Sequence, residues 1–220
     1  MSTPAIPSYR KRVGYHATFL GIIALLSSAA LVIGNLRTQD EIALRHLEDM
    51  QASLSQVIPA TLHDNAPLHE VARLPAPFGM RASEVEVYRA ARNGEIAAVA
   101  FRITAPNGYS GPIQLIMGVD RDGRVLGVRV LSHAETPGLG DKIEVARSPW
   151  IRGFDGLSLA DTPREEWRVK KDGGRFDQFT GATITPRAVV GAVHEGLQFF
   201  QRHRDALLAP LPKAGVESAK

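Results

Sequence analysis

One segment near the N-terminus restricts the possible architectures of this chain more than any other feature. Residues 13–36 contain no Asp, Glu, Lys or Arg and are rich in Leu, Ile, Ala and Val. A helix of about 20 apolar residues is long enough to cross the hydrocarbon core of a bilayer. We therefore predict a transmembrane helix over 13–36 that anchors the rest of the chain to a lipid bilayer.

The charges on either side of this segment predict its orientation. Three basic residues, 10–12, precede it, whereas charges of both signs follow it at 37–41. Because Lys and Arg are retained on the cytoplasmic side of a membrane, residues 1–12 are predicted to be cytoplasmic and the bulk of the chain to lie outside.

A cleaved signal peptide is the alternative to an anchor. Ser28, Ala29 and Ala30 resemble a small-residue cleavage site. However, the apolar run exceeds the 7–15 residues or so that are usual in a signal peptide, and it continues beyond these residues. The sequence therefore favours an uncleaved anchor.

Composition excludes several functional classes. There is no cysteine among the 220 residues, which rules out disulfides, thiol redox chemistry and iron–sulfur ligation by this chain. The sequence pI of about 9.4 is mildly basic, but the basic residues are scattered and lack accompanying aromatic platforms, so nucleic-acid binding is not expected. The histidines have no metal-ligand spacing, and neither a metal site nor a catalytic residue is predicted.

Beyond the anchor, residues 37–80 are predicted to form an amphipathic helix and a connecting loop. Helical spacing of apolar residues covers 38–57, and a loop rich in turn-forming residues follows. The next region, 81–208, is predicted to form one domain, and 209–220 a disordered tail.

Four strand-like runs of apolar residues open this domain, at 85–89, 96–104, 112–119 and 125–131. Asn93-Gly94 and Asp122-Gly123 are hairpin signals between neighbouring runs and indicate an antiparallel sheet.

A short helix over 141–146, a strand over 167–171 and a final helix are predicted to follow. The final helix is expected to have Thr185 as its N-cap and Pro186 at its first position. Because strands and helices do not alternate, the fold class is predicted to be α+β.

The segment Thr180-Gly181-Ala182-Thr183 lies just before that final helix. It places a hydroxyl beside two small residues, and a helix N-terminus favours the negative charge of a phosphorylated group. On spacing alone, a simple turn before an N-cap explains Thr183 equally well.

A second segment, Glu135-Thr136-Pro137-Gly138-Leu139-Gly140, follows a predicted strand. Pro and Gly favour a tight loop whose amides and carbonyls are exposed. Such a loop can meet the polar edge of a flat heterocycle, with the apolar Leu139 against its face. An ordinary strand-to-helix loop with an exposed Glu135 is the alternative.

Together, in this order and separation, the two segments resemble the FMN-binding domain family, and within it the G subunits of Rnf-type ion-translocating electron-transport complexes. The resemblance covers essentially the whole chain, including the basic N-terminus and single membrane helix. It departs from the family in Thr180, where many members have Ser, and in Gln178, where they have a small residue.

This resemblance implies FMN joined covalently to Thr183 through a phosphodiester. It also implies that the turn around the phosphate consists of Thr180, Gly181 and Ala182. The residues that it implies to line the flavin are Glu135, Thr136, Gly138, Leu139 and Gly140. A flavin transferase using FAD as donor is the implied maturation partner, acting on the periplasmic side of a bacterial inner membrane. His133 is either a hydrogen-bonding neighbour of the flavin or a loop residue without a redox task.

The resemblance further implies an electron-transfer subunit that works with the other subunits of a complex between ferredoxin and NAD, coupled to Na⁺ or proton movement. The alternatives are the FMN-carrying subunit of a Na⁺-translocating quinone reductase or another periplasmic flavin relay. An anchored binding or assembly module without redox function is the alternative of a different class.

Overall fold

The computed structural model describes residues 9–75 and 84–210, and the side chains of residues 9–12, 40, 43 and 46 are not described. The chain divides into two compact units, Met1–Asp49 and Met50–Lys220. Most of the predicted tail, from residue 211, lies outside the described residues, as do residues 1–8 of the predicted cytoplasmic segment.

The first helix, α1, spans Tyr9–Val57 without interruption. It includes the apolar stretch Val13–Gln39 of 27 residues, whose most apolar window of 18 residues has a mean hydropathy of 2.2 and is not buried. Length and composition therefore suit a single membrane-spanning anchor. The helix predicted over 38–57 is the continuation of this same helix.

A five-stranded sheet forms the centre of the second unit. Its strands are β1 (Val71–Pro75), β2 (Glu84–Arg92), β3 (Glu95–Ala105), β4 (Ile113–Asp120) and β5 (Val125–Ser132). Each strand pairs antiparallel with the next in the order β1-β2-β3-β4-β5. The predicted α+β class with an antiparallel sheet is confirmed.

Both predicted hairpin signals coincide with connections between strands. Asn93 and Gly94 have φ of 53° and 83° and join β2 to β3. Two consecutive positive φ angles characterise the type I′ turn, which matches the twist of paired strands. Gly123, with φ of 85°, lies in the connection from β4 to β5.

The two faces of the sheet are covered differently. Val99, Phe101 and Ile103 of β3 belong to the main core, to which the apolar side of the last helix, α2 (Ile184–Leu207), also contributes. The alternate residues Ala98 and Ala100 face the other way and cluster with the final turns of α1. Small side chains on this second face let the helix backbone approach the sheet closely.

Between β5 and α2 the chain forms 3₁₀ turns, at Asp141–Ile143, Pro149–Phe154, Arg164–Glu166 and Lys170–Asp172. The predicted helix at 141–146 is thus only a 3₁₀ turn. The predicted strand at 167–171 is wrong, because its one ladder contact is an isolated bridge from Val169 to Phe176. The alternate burial of Trp167 and Val169 imitates a strand, although these side chains pack into the core from a compact loop.

Candidate functional site

A tight turn precedes α2. The N–H of Ala182 donates to the carbonyl of Phe179 at 3.0 Å, and Gly181 has φ of +81°. A positive φ at the third residue is the signature of a type II turn, and it is the reason for a glycine there. Phe179 is buried and Thr180 is exposed, so the turn projects from the core.

The helix begins two residues earlier than the sequence predicted. Its N-cap is Thr183, not Thr185, and Pro186 is the third helical residue. Proline is tolerated there because the first N–H groups of a helix have no intrahelical acceptor. The hydroxyl of Thr183 makes no capping hydrogen bond, so this half-buried side chain stands at a helix N-terminus without the usual capping role.

The second segment also forms a tight turn. The carbonyl of Thr136 accepts hydrogen bonds from the N–H groups of Leu139 at 3.1 Å and Gly140 at 3.0 Å. Gly138 has φ of +79°, and Pro137 precedes it, as in a type II turn. Thr136, Gly138 and Leu139 are exposed, whereas Gly140 is buried.

The fold brings the two segments together at two places. A Cβ on Gly181 would lie 3.5 Å from Leu139 Cδ2, so the two turns are in van der Waals range. Glu135 Oε2 also accepts a short hydrogen bond from the hydroxyl of Thr185. The segments 135–140 and 180–183 therefore lie next to each other in the fold.

Glu135 is placed differently from the other predicted lining residues. It is only 4% exposed, and its second oxygen, Oε1, accepts a hydrogen bond from the backbone N–H of Ser110 at 2.9 Å. The carboxylate thus joins the loop between β3 and β4 to the first turn of α2. The exposed Glu135 expected for an ordinary strand-to-helix loop is wrong, because the side chain is buried.

Both ring nitrogens of His133 are occupied by neighbouring groups. Nδ1 accepts from the N–H of Glu135 at 3.0 Å, and Nε2 lies 2.7 Å from Glu144 Oε1. A nitrogen that accepts carries no proton, so the hydrogen bonds assign the neutral tautomer with its proton on Nε2. His133 therefore braces the loop behind Glu135.

An ion pair fixes the start of α2 from another side. Arg187 donates to both carboxylate oxygens of Asp172, at 2.6 and 2.7 Å. These hydrogen bonds hold the pKa of Asp172 below its ordinary value. A bidentate pair restricts orientation as well as distance, which ties the turn at Lys170–Asp172 to the helix.

An open cavity of about 520 Å³ lies beside Phe179. Its lining combines aromatic rings with charges, from Trp150, Phe176, Phe179, Lys142, Arg175 and Asp177. A volume of this size is within the range of cofactor pockets. Two cations beside aromatic faces suit a flat, anionic ligand.

Comparison with known proteins identifies the family. Residues 108–198 match the FMN-binding domain. The G subunit of the ion-translocating oxidoreductase complex of Cereibacter sphaeroides is 52% identical over 193 residues, which cover 88% of this chain and 86% of that protein. The G subunit from Pseudomonas aeruginosa is 46% identical over 210 residues, 94% of this chain and 98% of that protein. The corresponding protein of Vibrio parahaemolyticus is 43% identical over 197 residues, 89% and 93% of the two chains.

The chain belongs to this family of G subunits. The matched FMN-binding domain begins at Gly108, in the loop whose Ser110 contacts Glu135, and ends within α2. It therefore contains both sequence segments, the buried carboxylate and the cavity.

Some residues at the site had no signal in the sequence. Trp150 contacts Phe179 with its ring centroid at 5.1 Å, and its Nε1 donates to the carbonyl of Asp177 at 2.8 Å. Tyr109, 68% exposed, lies in the Gly108 loop. Only the two glycines flanking that loop, Gly108 and Gly111, indicate locally that its backbone is unusual.

Proposed function

We propose that this protein is the membrane-anchored, covalently flavinylated electron-transfer subunit of an ion-translocating oxidoreductase complex, with FMN attached to Thr183. The observation that carries the proposal is the contact between the two turns, at Leu139 and Gly181, inside the region that matches the FMN-binding domain. Leu139 and Gly181 are more than forty positions apart in the sequence, and the fold holds them together. Thr183, two residues after Gly181, has a hydroxyl that makes no capping hydrogen bond.

The residues around Thr183 fit a phosphodiester. Its hydroxyl is at the N-terminus of a 24-residue helix, where the backbone dipole favours negative charge. Lys142 and Arg175 line the cavity beside Phe179 together with the single carboxylate of Asp177, and Arg175 also lies 3.6 Å from Glu166. Gly181 has a positive φ, which strains residues that carry a side chain. Because glycine has no side chain, a phosphate group can approach the backbone closely at this position.

Attachment requires a flavin transferase and FAD. Thr183 Oγ forms a bond to the FMN phosphorus as the pyrophosphate bond of FAD breaks, AMP leaves, and the hydroxyl proton passes to the transferase or to water. A threonine hydroxyl at its ordinary pKa is a weak nucleophile, which is why a separate enzyme must activate it.

Three exposed apolar side chains of the matched domain suit the flavin ring. Tyr109, Leu139 and Ile184 are 68%, 41% and 45% exposed. They lie in the Gly108 loop, in the Gly138 turn and at the helix start. When bound, FMN accepts and returns one or two electrons; the chain supplies its position, its apolar surface and its charge environment.

The complex and the membrane orientation extend this proposal. The relatives named above are subunits of an ion-translocating oxidoreductase complex, which favours subunits of such a complex, acting between ferredoxin and NAD, as the partners. The basic residues 10–12 before the apolar segment favour a cytoplasmic N-terminus and a periplasmic flavin domain.

Denaturing electrophoresis under ultraviolet light tests the flavin attachment. The chain is produced in bacteria that export it and contain the transferase. The band of the unaltered chain should fluoresce, and that of Thr183→Val should be dark, because valine keeps the shape of threonine without its hydroxyl.

Thr104→Val is the matched control, since this half-buried threonine lies on β3 and donates only to Gln114. Its band should fluoresce. A dark band from the unaltered chain would refute the proposal, and fluorescence from Thr183→Val would refute the assignment of the attachment residue.

A further inference from the structure

Three threonines lie within the attachment segment, and their hydroxyls differ in exposure and in hydrogen bonding. Thr180 is exposed at the second position of the turn, and Thr183 is the half-buried N-cap without a cap bond. Thr185 is fully buried, and its hydroxyl donates to Glu135 Oε2. A transferase presented with this segment therefore meets three chemically identical groups in three environments.

The Glu135 carboxylate fits its position closely. A Cβ on Gly108 would lie 2.9 Å from Oε1, and a Cβ on Gly140 would lie 2.9 Å from Oε2 and 2.8 Å from Glu135 Cβ. Only glycine leaves room on both sides. The two oxygens take one donor each, from Ser110 and Thr185, which offsets part of the free energy of burying a charged group.

We propose that Glu135 and Thr185 form a latch that makes Thr183 the flavin acceptor, by fixing where α2 begins and by occupying the neighbouring hydroxyl. This inference rests on the proposed attachment of FMN at Thr183. Glu135 is a positioning residue in this account, since it acts through Thr185 and the helix start.

Two residues of this segment compete as the start of α2. Thr185 followed by Pro186 is a strong local signal for an N-cap and a first helical residue. A threonine caps a helix only if its Oγ1 lies within hydrogen-bond distance of the backbone N–H groups ahead of it, and here Oγ1 is held beside Glu135 Oε2 instead. With this hydroxyl directed to Glu135, Thr185 enters the helix as its second residue, and Thr183 becomes the N-cap.

The latch also connects the two turns mechanically. Glu135 is the first residue of the segment that carries Leu139, and Thr185 lies two positions after Thr183. The hydrogen bond between them therefore sets the register in which Leu139 meets Gly181. Without it, the helix start can move by two residues, and Thr183 becomes a loop residue.

The test is the rate of flavin attachment to the full-length chain in detergent, using purified transferase and FAD, read by in-gel fluorescence and by the mass of the Thr183 peptide. Thr185→Val removes the donor while keeping the side-chain shape, and we expect attachment to slow about tenfold, the effect of losing a hydrogen bond to a buried charge. Thr185→Ser keeps the hydroxyl and should stay within about twofold of the unaltered chain.

Glu135→Gln is the second variant, because its amide oxygen can still accept from Thr185 while its NH2 group then faces the N–H of Ser110. Its rate should fall between those of Thr185→Ser and Thr185→Val. Amide hydrogen exchange of the flavin-free chains adds a structural readout. Faster exchange in the first turn of α2, with the rest of the helix unchanged, is expected for Thr185→Val.

Val193→Ala controls for general destabilisation, since Val193 is fully buried in α2 away from the latch. It should lower the unfolding midpoint and leave the attachment rate unchanged. The latch is refuted if Thr185→Val attaches flavin at the unaltered rate, or if Val193→Ala slows attachment equally. An unaltered chain that takes up no flavin refutes the attachment proposal instead, and hydrogen exchange then still decides whether the latch orders the helix start.

Discussion

Gly118 of β4 offers a sharp test of how α1 packs on the sheet. A Cβ at this position would lie 2.1 Å from the carbonyl oxygen and 2.8 Å from the carbonyl carbon of Val57. Ordinary contacts between heavy atoms are about 3.5–4.0 Å. Because the obstructing atoms belong to the backbone, Gly118→Ala must displace the end of the helix by about 1 Å or more.

The displacement acts on side chains that are now out of contact with water. Leu54, Val57 and Ile58 are 5%, 0% and 1% exposed, and full burial of each such side chain contributes about 1.5–3 kcal/mol. Overpacking a core costs about 1–3 kcal/mol, occasionally more. Since the helix end shifts without leaving the sheet, we expect Gly118→Ala to lower the free energy of unfolding by about 3 kcal/mol.

Urea denaturation of the full-length protein in detergent measures this change through tryptophan fluorescence, because both tryptophans, Trp150 and Trp167, lie in the domain. Gly191→Ala is the matched control: Gly191 lies within α2, and a Cβ there meets nothing within 4 Å. It should raise stability by up to about 1 kcal/mol, the helix propensity of alanine over glycine. A Gly118→Ala midpoint equal to that of the unaltered chain would show that the helix end does not pack on β4 as described.

Three further predictions concern the flavin, the pH dependence and the membrane. Leu139→Ala should leave FMN attached but make its fluorescence more accessible to iodide quenching; unchanged quenching would remove Leu139 from the ring surface. Burial lowers the pKa of His194 below its ordinary value of 6.5. As pH falls through 6.5, His194 therefore takes up a proton in the unfolded chain before it does so in the folded chain. The free energy of unfolding is highest above that pH and decreases as the pH falls. His194→Gln should flatten the dependence of the thermal midpoint on pH between about 7 and 5, and an identical slope would contradict the assignment. Because the chain lacks cysteine, the variants Lys171→Cys and Ser8→Cys can each be labelled at one position. In cells with a permeabilised outer membrane, a membrane-impermeant maleimide should label Lys171→Cys and not Ser8→Cys. Labelling of Ser8→Cys alone would show the opposite topology.

Local sequence signals predicted the anchor and four of the five strands, but β1 (Val71–Pro75) was missed, because it lies in the segment predicted as a connecting loop. Asn93-Gly94 needs no tertiary partner to favour a tight hairpin, and the alternation of residues along β3 separates its two faces. The apolar composition of the anchor is equally local. These features could be read in advance because each depends on the conformational preferences of a few adjacent residues.

The segment between β5 and α2 depends on distant partners, and the sequence was a poorer guide there. Thr185 carries the local signal of an N-cap, yet its hydroxyl donates to a carboxylate fifty positions away and the helix begins two residues earlier. Trp167 and Val169 alternate as in a strand, yet the chain around them folds into 3₁₀ turns. The motifs indicated the two segments that meet in the fold, while the positions of Glu135, Ser110 and Trp150 depend on tertiary contacts.

The covalent bond between FMN and Thr183 can be tested by the mass of a single peptide. The protein is purified with its complex from the native membrane and digested, and the fragment containing Thr183 is identified by mass spectrometry. We predict that this fragment carries FMN through a phosphodiester on Thr183 and that the fragments containing other threonines are unmodified. A Thr183 fragment with the mass of its amino acids alone, from an assembled complex, would contradict the account.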